Sequence, residues 1–247
     1  MPQTFKTLNG GTVDLPQAKL ANLKAALIGP LIGKGDPEYD DARALWNGMI
    51  DRHPCQIVRA RNTDDIRLTV NFARENDLLL AIKSGGHQIA GHAVADGALL
   101  LDLSQMRDVQ VDVAKATARV QPGCLLSDVD AATQKHGLAV PLGVNSTTGV
   151  AGLTLGGGFG WITGKHGLTI DNLLSAEVVC ADGKTRVANA TNNSDLFWAI
   201  RGGGGNFGVV SEFEFALHPI GPEVLSGLVV HPLADARGLL QSYRDIC

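Results

Sequence analysis

The segment Lys83-Ser84-Gly85-Gly86-His87-Gln88-Ile89-Ala90-Gly91 constrains the fold of this chain more than any other stretch. It follows an unbroken apolar run, Leu78–Ile82, which is typical of a strand buried on both faces. Successive small residues after a strand leave backbone N–H groups free to form an anion-binding nest, to which the neighbouring Lys and Ser side chains can add donors. A tight turn that carries a surface histidine explains the same local sequence equally well. A zinc site at His87 and His92 is disfavoured, because their spacing suits no regular element and no third ligand is near.

The regions on either side of this segment predict a mixture of helices and strands. The first half predicts a β-α-β-β layer: strand Gln56–Ala60, a helix that Thr63 caps and that ends at Arg74, and strands Leu78–Ile82 and Leu99–Leu103. The second half predicts the hairpin Val109–Val113 with Thr117–Val120, the helix Leu125–His136 ended by Gly137, the hairpin Ala176–Cys180 with Thr185–Ala188, the helix Ser194–Ile200 and the strand Val209–Leu217. In that last strand, Phe213 and Phe215 are expected on the buried face.

The two ends of the chain are predicted as separate parts. Residues 1–49 are expected to form a helical preface, with helices over Pro16–Ile28 and Asp36–Met49. Residues 222–247 predict a strand, Val224–Val230, and a helix, Ala234–Ile246.

Composition and charge exclude several classes of protein. Hydrophobic residues make up 45% and charged residues 19%, which excludes a disordered chain. The formal net charge of −4 offers no basic surplus for a nucleic-acid backbone, so no nucleic-acid partner is expected. The apolar runs are far shorter than the roughly 20 residues that span a bilayer, so no membrane partner is expected. The cysteine spacings predict no metal site, and with no recognisable export signal they indicate thiols in the cytoplasm.

Glycine is in excess, and two nucleotide-binding patterns nearly match. Gly160–His166 resembles a P-loop, but Phe159 replaces its first glycine and His166 replaces the Ser or Thr that binds magnesium. Gly203-x-Gly205-x-x-Gly208 matches the dinucleotide pattern literally, yet a helix precedes it and a strand follows, which reverses the required order. Gly149–Gly167 holds eight glycines among apolar residues. A backbone lying flat against a large planar ligand explains this segment, and so do tight crossings in a packed core.

Four blocks of sequence, taken together and in order, resemble the FAD-linked oxidoreductases of the vanillyl-alcohol-oxidase (p-cresol-methylhydroxylase) superfamily, close to the berberine-bridge-enzyme-like branch. The blocks are Lys83–Gly91, Gly143–Gly152, Gly156–Gly160 and Arg201–Val210. The resemblance implies an α+β fold: an FAD-binding domain of the p-cresol-methylhydroxylase type over residues 50–221, with two α+β subdomains and the flavin between them. It also implies that a substrate domain starts at residue 222 and is truncated here.

The resemblance also implies which residues hold the cofactor. His87 matches the histidine that bonds covalently to the flavin 8α-methyl group. Asn145 stands where two-bond members have a cysteine, so a single covalent link to FAD is expected. Many members have Arg where this chain has Lys83, which keeps the charge but loses the planar fork. The other residues that the resemblance implies at the cofactor are Ser84, Gly85, Gly86, Gln88, Gly91, Thr147, Gly149, Gly152, Gly160 and Val210.

The function implied is hydride removal from an alcohol or amine-bearing carbon of a small organic substrate, with FAD as the acceptor. The catalytic base is not assigned, because neither Tyr39 nor Tyr243 lies in a family catalytic motif; neither the substrate nor the oligomeric state is defined. Two alternatives stay open at this point: a non-catalytic flavin-binding module, and a phosphate-binding transferase that uses Gly156–Lys165. Because the flavin face would be uncovered without a substrate domain, the chain by itself is expected to be incomplete for catalysis.

Overall fold

The first layer is a four-stranded sheet built around parallel strands. A computed structural model describes residues 2–221, 223, 225 and 227–246. Its strands are β3 (Leu31–Gly33), β4 (Gln56–Arg59), β5 (Leu80–Lys83) and β6 (Leu99–Asp102). The sheet order is β3-β4-β6-β5, in which β4, β6 and β5 are parallel and β3 is antiparallel to β4. All four side chains of β6 are buried, which confirms the prediction of a fully covered central strand.

The helix α3 (Thr63–Glu75) connects β4 to β5 as predicted, but its N-cap is Asn62 and not Thr63. Asn62 has extended backbone angles, and its side-chain oxygen accepts a hydrogen bond from the backbone N–H of Asp65 at 2.9 Å. Thr63 is already the first helical residue, and its hydroxyl donates instead to Glu177 Oε1 at 3.0 Å. The capping interaction therefore begins one residue earlier than the sequence indicated.

The second layer is a five-stranded antiparallel sheet in the order β11-β10-β12-β8-β7. Its strands are β7 (Val109–Asp112), β8 (Thr117–Val120), β10 (Leu173–Val179), β11 (Thr185–Asn189) and β12 (Val209–Ala216). Phe213 and Phe215 are fully buried while Glu212 and Glu214 are half-buried, which confirms the predicted alternation. A short additional pair joins β9 (Leu138–Ala139) to β13 (His218–Pro219).

Helices connect and cover this second sheet. They are α4 (Leu126–Thr133), α5 (Val150–Leu155), α6 (Thr163–His166) and α7 (Ser194–Ile200). A 3-10 turn, Gln134–His136, extends α4 to Gly137, which adopts the left-handed conformation with φ +65°. The predicted helix with a terminal glycine is thus confirmed.

The N-terminal part contains strands that the sequence analysis did not predict. A hairpin of β1 (Gln3–Lys6) and β2 (Thr12–Leu15) precedes α1 (Gln17–Ala26), and β3 joins the first sheet. The helix expected over residues 36–49 is only α2 (Tyr39–Arg43). Short four-residue strands such as β1 bury a single side chain, Phe5, and leave too little alternation to be recognised.

At the C-terminal end, α8 (Ala236–Ile246) confirms the predicted helix. The predicted strand over residues 224–230 includes Val224 and Ser226, which lie outside the described residues. Residues 227–230 form no strand.

The two layers form two α+β subdomains that meet through a shared core. Val179 and Val209 of the second sheet pack in one cluster with Leu99 and Leu101 of the first sheet and with α3. This contact fixes the loops after β5 relative to the glycine-rich loops of the second layer. The predicted α+β fold with two subdomains is confirmed.

Candidate functional site

The loop that follows β5 presents a row of free backbone donors. Within the described chain, none of the backbone N–H groups of residues 84–90 donates a hydrogen bond. The next N–H group, that of Gly91, donates to the Gln88 carbonyl at 3.0 Å, and the N–H of His92 donates to Gln88 Oε1 at 2.9 Å. Gln88 therefore closes the end of the loop with both its backbone and its side chain. A row of unpaired N–H groups at the carboxyl end of a buried strand fits an anion such as a pyrophosphate.

Gly85 and Gly149 bring the first and second sequence blocks together. A Cβ on Gly149 would lie 2.7 Å from the Cα of Gly85, and a Cβ on Gly85 would overlap Gly149 Cα. The two backbones cross here at a distance that only glycine permits. The hydroxyl of Ser84 donates to the Pro122 carbonyl at 2.5 Å, so this side chain anchors the crossing, while its N–H stays free.

His87 lies beside Thr147 and Asn145 at this crossing. Thr147 Oγ1 is 3.3 Å from His87 Nε2. Asn145 Oδ1 accepts two hydrogen bonds from Thr147, one from the hydroxyl at 2.9 Å and one from the backbone N–H at 3.1 Å. The fold thus places three predicted cofactor residues, separated by about 60 positions in sequence, in one hydrogen-bonded group.

A segment that the sequence analysis missed holds the His87 loop on its other side. We call residues 45–52 the clamp segment. Trp46 donates its backbone N–H to the Gly86 carbonyl at 3.1 Å, and its indole stacks on the His87 ring with centroids 5.1 Å apart and planes 20° apart. Asn47 Nδ2 donates to the Ile89 carbonyl at 2.9 Å. The clamp segment therefore fixes both the path of the loop and the plane of its imidazole.

The end of the loop is fixed by the same segment. Gly91 has φ +76°, and a Cβ there would lie 2.7 Å from the side chain of Ile50. Arg52 Nη1 donates to the carbonyls of Gly91 and Val94, both at 3.1 Å. The sequence analysis placed residues 45–49 in the helix predicted over 36–49, and it had no signal for contacts that lie about 40 positions away in sequence.

Lys83 does not reach the loop that it precedes. Its ammonium points into the core, where it donates to the Ala42 carbonyl and lies 3.7 Å from Asp102 Oδ2. Asp102 is fully buried and also pairs with Arg59, whose Nε is 3.0 Å from Oδ2. Burial lowers the pKa of Lys83 from its ordinary value, against the opposing effect of Asp102. The positive charge expected at the cofactor is instead part of a buried ion cluster beneath the loop.

The remaining blocks are in contact with the first two. A Cβ on Gly160 would overlap the Leu142 carbonyl oxygen, next to the second block. The N–H of Gly202 in the fourth block donates to the Leu155 carbonyl at 3.1 Å, where α5 runs into the third block. Val210 lies in the buried core of the second sheet. By contrast, a Cβ on Gly152 meets nothing within 4 Å, so this exposed glycine faces open space.

The arrangement fits a flavin nucleotide better than it fits a metal. No group of three His, Cys, Asp or Glu side chains able to hold a metal ion exists among the residues that the structure describes. The unpaired N–H row suits a pyrophosphate, the imidazole of His87 stands beside it, and the open face of Gly152 leaves room for a flat ring. Among these same described residues, no helix is both long and apolar enough to cross a membrane.

Comparison with known proteins gives the class of this chain. The family model described as the FAD binding domain matches residues 54–189. The FAD-linked oxidoreductase pgmH of Aspergillus terreus is 38% identical over 98% of this chain and 50% of its own length. The structure of 6-hydroxy-D-nicotine oxidase from Arthrobacter nicotinovorans superposes with a TM-score of 0.83 at 35% identity, over 89% of this chain and 49% of that one. The BBE-like 1 protein of Physcomitrella patens gives a TM-score of 0.76 at 31% identity, over 81% and 44%.

The chain belongs to the FAD-linked oxidoreductases that carry this FAD-binding domain, and the resemblance to the berberine-bridge-enzyme-like branch is confirmed. FAD is its cofactor. The family assignment leaves the phosphate-transferase and non-catalytic alternatives without support. The chain spans about half the length of the curated relatives it matches.

Proposed function

We propose that this chain holds FAD through the loop after β5, with a single covalent bond to His87, in an enzyme that removes hydride from an alcohol or amine-bearing carbon of a small organic molecule. The observation that carries the proposal is the juxtaposition of the unpaired N–H row of residues 84–90 with the imidazole of His87. When bound, the flavin supplies the redox chemistry, by accepting a hydride.

The chain's own residues bind and orient the cofactor. The N–H row would donate hydrogen bonds to the pyrophosphate. Gln88 and the clamp segment hold the loop in its conformation, and Gly152 would leave space for the ring system. Asn145, the position where two-bond relatives have cysteine, is committed to Thr147 and offers no thiolate, so one link is proposed and not two.

The proposed covalent bond would join an imidazole nitrogen of His87 to the 8α carbon of the flavin. One proton leaves the imidazole and one leaves the methyl group, and dioxygen takes up the two electrons released. The form of the imidazole that can make this bond is the neutral one, which keeps an unshared electron pair on one ring nitrogen.

Acid precipitation of the purified chain tests the proposal. We expect the wild-type pellet to retain flavin and the His87→Ala pellet to release it. His92→Ala is the matched control, since His92 belongs to the same loop region but its ring is exposed and outside the hydrogen-bonded group. If the wild-type protein is yellow but all of its flavin enters the acid supernatant, the result contradicts the covalent bond but not FAD binding. A wild-type chain that takes up no flavin would overturn both.

We propose that residues 50–221 form the FAD-binding domain and that residues 222–247 begin the part that covers the substrate. We also propose a cytoplasmic location, which the three thiols at Cys55, Cys124 and Cys180 support, since all are free in the structure. Cell fractionation with a tagged chain tests the location; recovery in a secreted fraction would contradict it.

A further inference from the structure

We propose that Thr147, Asn145 and Trp46 are positioning residues that select one neutral tautomer of His87 and hold its ring plane ready for reaction. This inference rests on the proposed covalent role of His87, and it concerns the imidazole itself. The direction of the single hydrogen atom on the Thr147 hydroxyl decides which nitrogen of His87 is protonated.

A threonine hydroxyl carries one proton and accepts through its lone pairs. In the structure, Thr147 Oγ1 is closer to Asn145 Oδ1, at 2.9 Å, than to His87 Nε2, at 3.3 Å. Asn145 Oδ1 is purely an acceptor, and the backbone N–H of Thr147 also points to it at 3.1 Å, which fixes its orientation. The hydroxyl proton is therefore given to Asn145, and Thr147 Oγ1 meets His87 as an acceptor.

An acceptor facing Nε2 demands a proton on that nitrogen. Neutral His87 is thus the Nε2–H tautomer, and its lone pair lies on Nδ1. Asn145 therefore determines which nitrogen of His87 is the nucleophile, although two hydrogen bonds separate it from the imidazole. If Asn145 did not take the hydroxyl proton, Thr147 could donate to Nε2 and the lone pair would be blocked there while Nδ1 carried the proton.

Trp46 controls the second degree of freedom, the ring plane. Its indole lies nearly parallel to the imidazole, with an interplanar angle of 20°. The backbone N–H of Trp46 donates to the Gly86 carbonyl, so the backbone that carries the indole is tied to the His87 loop. Rotation of His87 about its side-chain torsions would break both the stack and the Thr147 contact. The imidazole is therefore held in one orientation before any cofactor arrives.

The first test measures the tautomer directly, in the 247-residue chain without flavin. Long-range proton–nitrogen NMR at pH 8 distinguishes Nε2–H from Nδ1–H imidazole. We expect Nε2–H in the wild type, a mixed population in Thr147→Val, and a shift toward Nδ1–H in Asn145→Ala. Thr147→Ser keeps the hydroxyl and is the matched control. Asn145 and Thr147 are exposed, so these changes leave the fold intact. An unchanged tautomer in both Thr147→Val and Asn145→Ala would overturn the inference.

The second test measures the consequence for flavin attachment. Loss of one neutral hydrogen bond predicts an acid-stable flavin incorporation rate about tenfold lower in Thr147→Val, while Thr147→Ser stays near wild type. Trp46→Ala should lose the upfield ring-current shift of the His87 protons and slow attachment, and Trp46→Phe should rescue both in part. If the NMR results hold but the wild type attaches no flavin, the covalent role fails and the positioning stands. If attachment rates do not differ among these variants, the positioning has no role in the reaction.

Discussion

At the scale of single residues, the glycines of the second and third sequence blocks differ in what a side chain at each position would contact. Gly149 is fixed by the backbone of Gly85, whereas Gly152 lies within α5 and its missing side chain would point into open space. The three glycines expected at the cofactor, Gly149, Gly152 and Gly160, therefore fall into two groups. For Gly149 and Gly160 the neighbouring protein backbone already excludes a side chain, with or without a cofactor.

Because Gly149 faces protein backbone and Gly152 faces open space, alanine at the two positions is expected to change stability in opposite directions. Gly149→Ala forces apart two crossing backbones and is expected to lower the free energy of unfolding by about 1–3 kcal/mol, as overpacking does. Gly152→Ala removes a flexible residue from a helix and is expected to raise it by about 0.5–1 kcal/mol, yet to weaken FAD uptake if the flavin lies against this face. Urea unfolding and flavin titration measure both. Normal FAD uptake by a stabilised Gly152→Ala variant would place the flavin elsewhere.

At the scale of elements, one buried carboxylate ties the start of α3 to the turn before β3. Asp65 Oδ1 accepts from the N–H of Ile28 at 2.8 Å, and Oδ2 accepts from the N–H groups of Gly29 and Arg61, both at 2.9 Å. Asp65 is 1% exposed, so no water replaces these bonds. The carboxylate thereby joins the N-terminal part of the chain to the layer that carries the His87 loop.

Asp65→Asn is expected to destabilise the fold because an amide group has one acceptor oxygen and leaves buried N–H groups without a partner. The cost predicted is about 1–3 kcal/mol in the free energy of unfolding. Asp64→Asn is the matched control: Asp64 is exposed and pairs only with Arg67 on the surface, so the change should be within about 0.5 kcal/mol. Equal effects of the two substitutions would show that the buried bonds contribute nothing specific.

A pH effect is expected where α6 meets β13. The rings of His166 and His218 stack with centroids 3.9 Å apart, and His218 Nε2 donates to Asn172 Oδ1 at 2.6 Å. Burial lowers the pKa of His218 from its ordinary value, and electrostatic interaction with His166 and Lys165 lowers it further. The unfolded chain then binds this proton at a higher pH than the folded chain.

The stability that this pair contributes is therefore present above the ordinary histidine pKa, near 6.5, and decreases as the pH falls below it. His218→Gln keeps a donor for Asn172 but does not titrate. We expect urea midpoints to fall more steeply between pH 7.5 and 5.5 in the wild type than in His218→Gln. Parallel curves for the two proteins would mean that His218 is protonated equally easily in both states.

These elements also show how far sequence reasoning reached. The strands and helices with long apolar patterns, such as β12 with Phe213 and Phe215, were predictable because alternation alone specifies which face is buried. The crossing of Gly85 with Gly149 was not predicted, since no local pattern encodes a contact between two glycines; the family resemblance implied only that both lie at the cofactor. The clamp segment around Trp46 was not predictable, because irregular backbone contacts across 40 positions leave no periodic trace. The direction of the Lys83 side chain was not predictable for a related reason: it depends on Asp102, whose position the sequence does not show.

At the scale of the whole molecule, the glycine-rich face exposes large apolar side chains. Phe159 is 72% exposed and Trp161 is 85% exposed, on either side of Gly160. Soluble monomers rarely leave contiguous apolar patches larger than a few hundred Å² uncovered. Since the chain spans about half the length of its curated relatives, we propose that the part of the relatives it does not match supplies the cover.

We therefore predict that this 247-residue chain binds FAD but oxidises substrate at a negligible rate, and that it self-associates. Hydride transfer needs a site that excludes water and a positioned base, whereas the described face around Phe159 and Trp161 is an open surface. Sedimentation velocity should show association that the double substitution Phe159→Ser with Trp161→Gln reduces. Trp198→Gln is the control, since Trp198 is a similarly exposed tryptophan on α7.

Stopped-flow reduction of the bound flavin by a panel of alcohols and amines measures the rate of substrate oxidation. Turnover near the typical enzyme value of roughly 10 per second would place the base within these residues and make a separate cover unnecessary for catalysis.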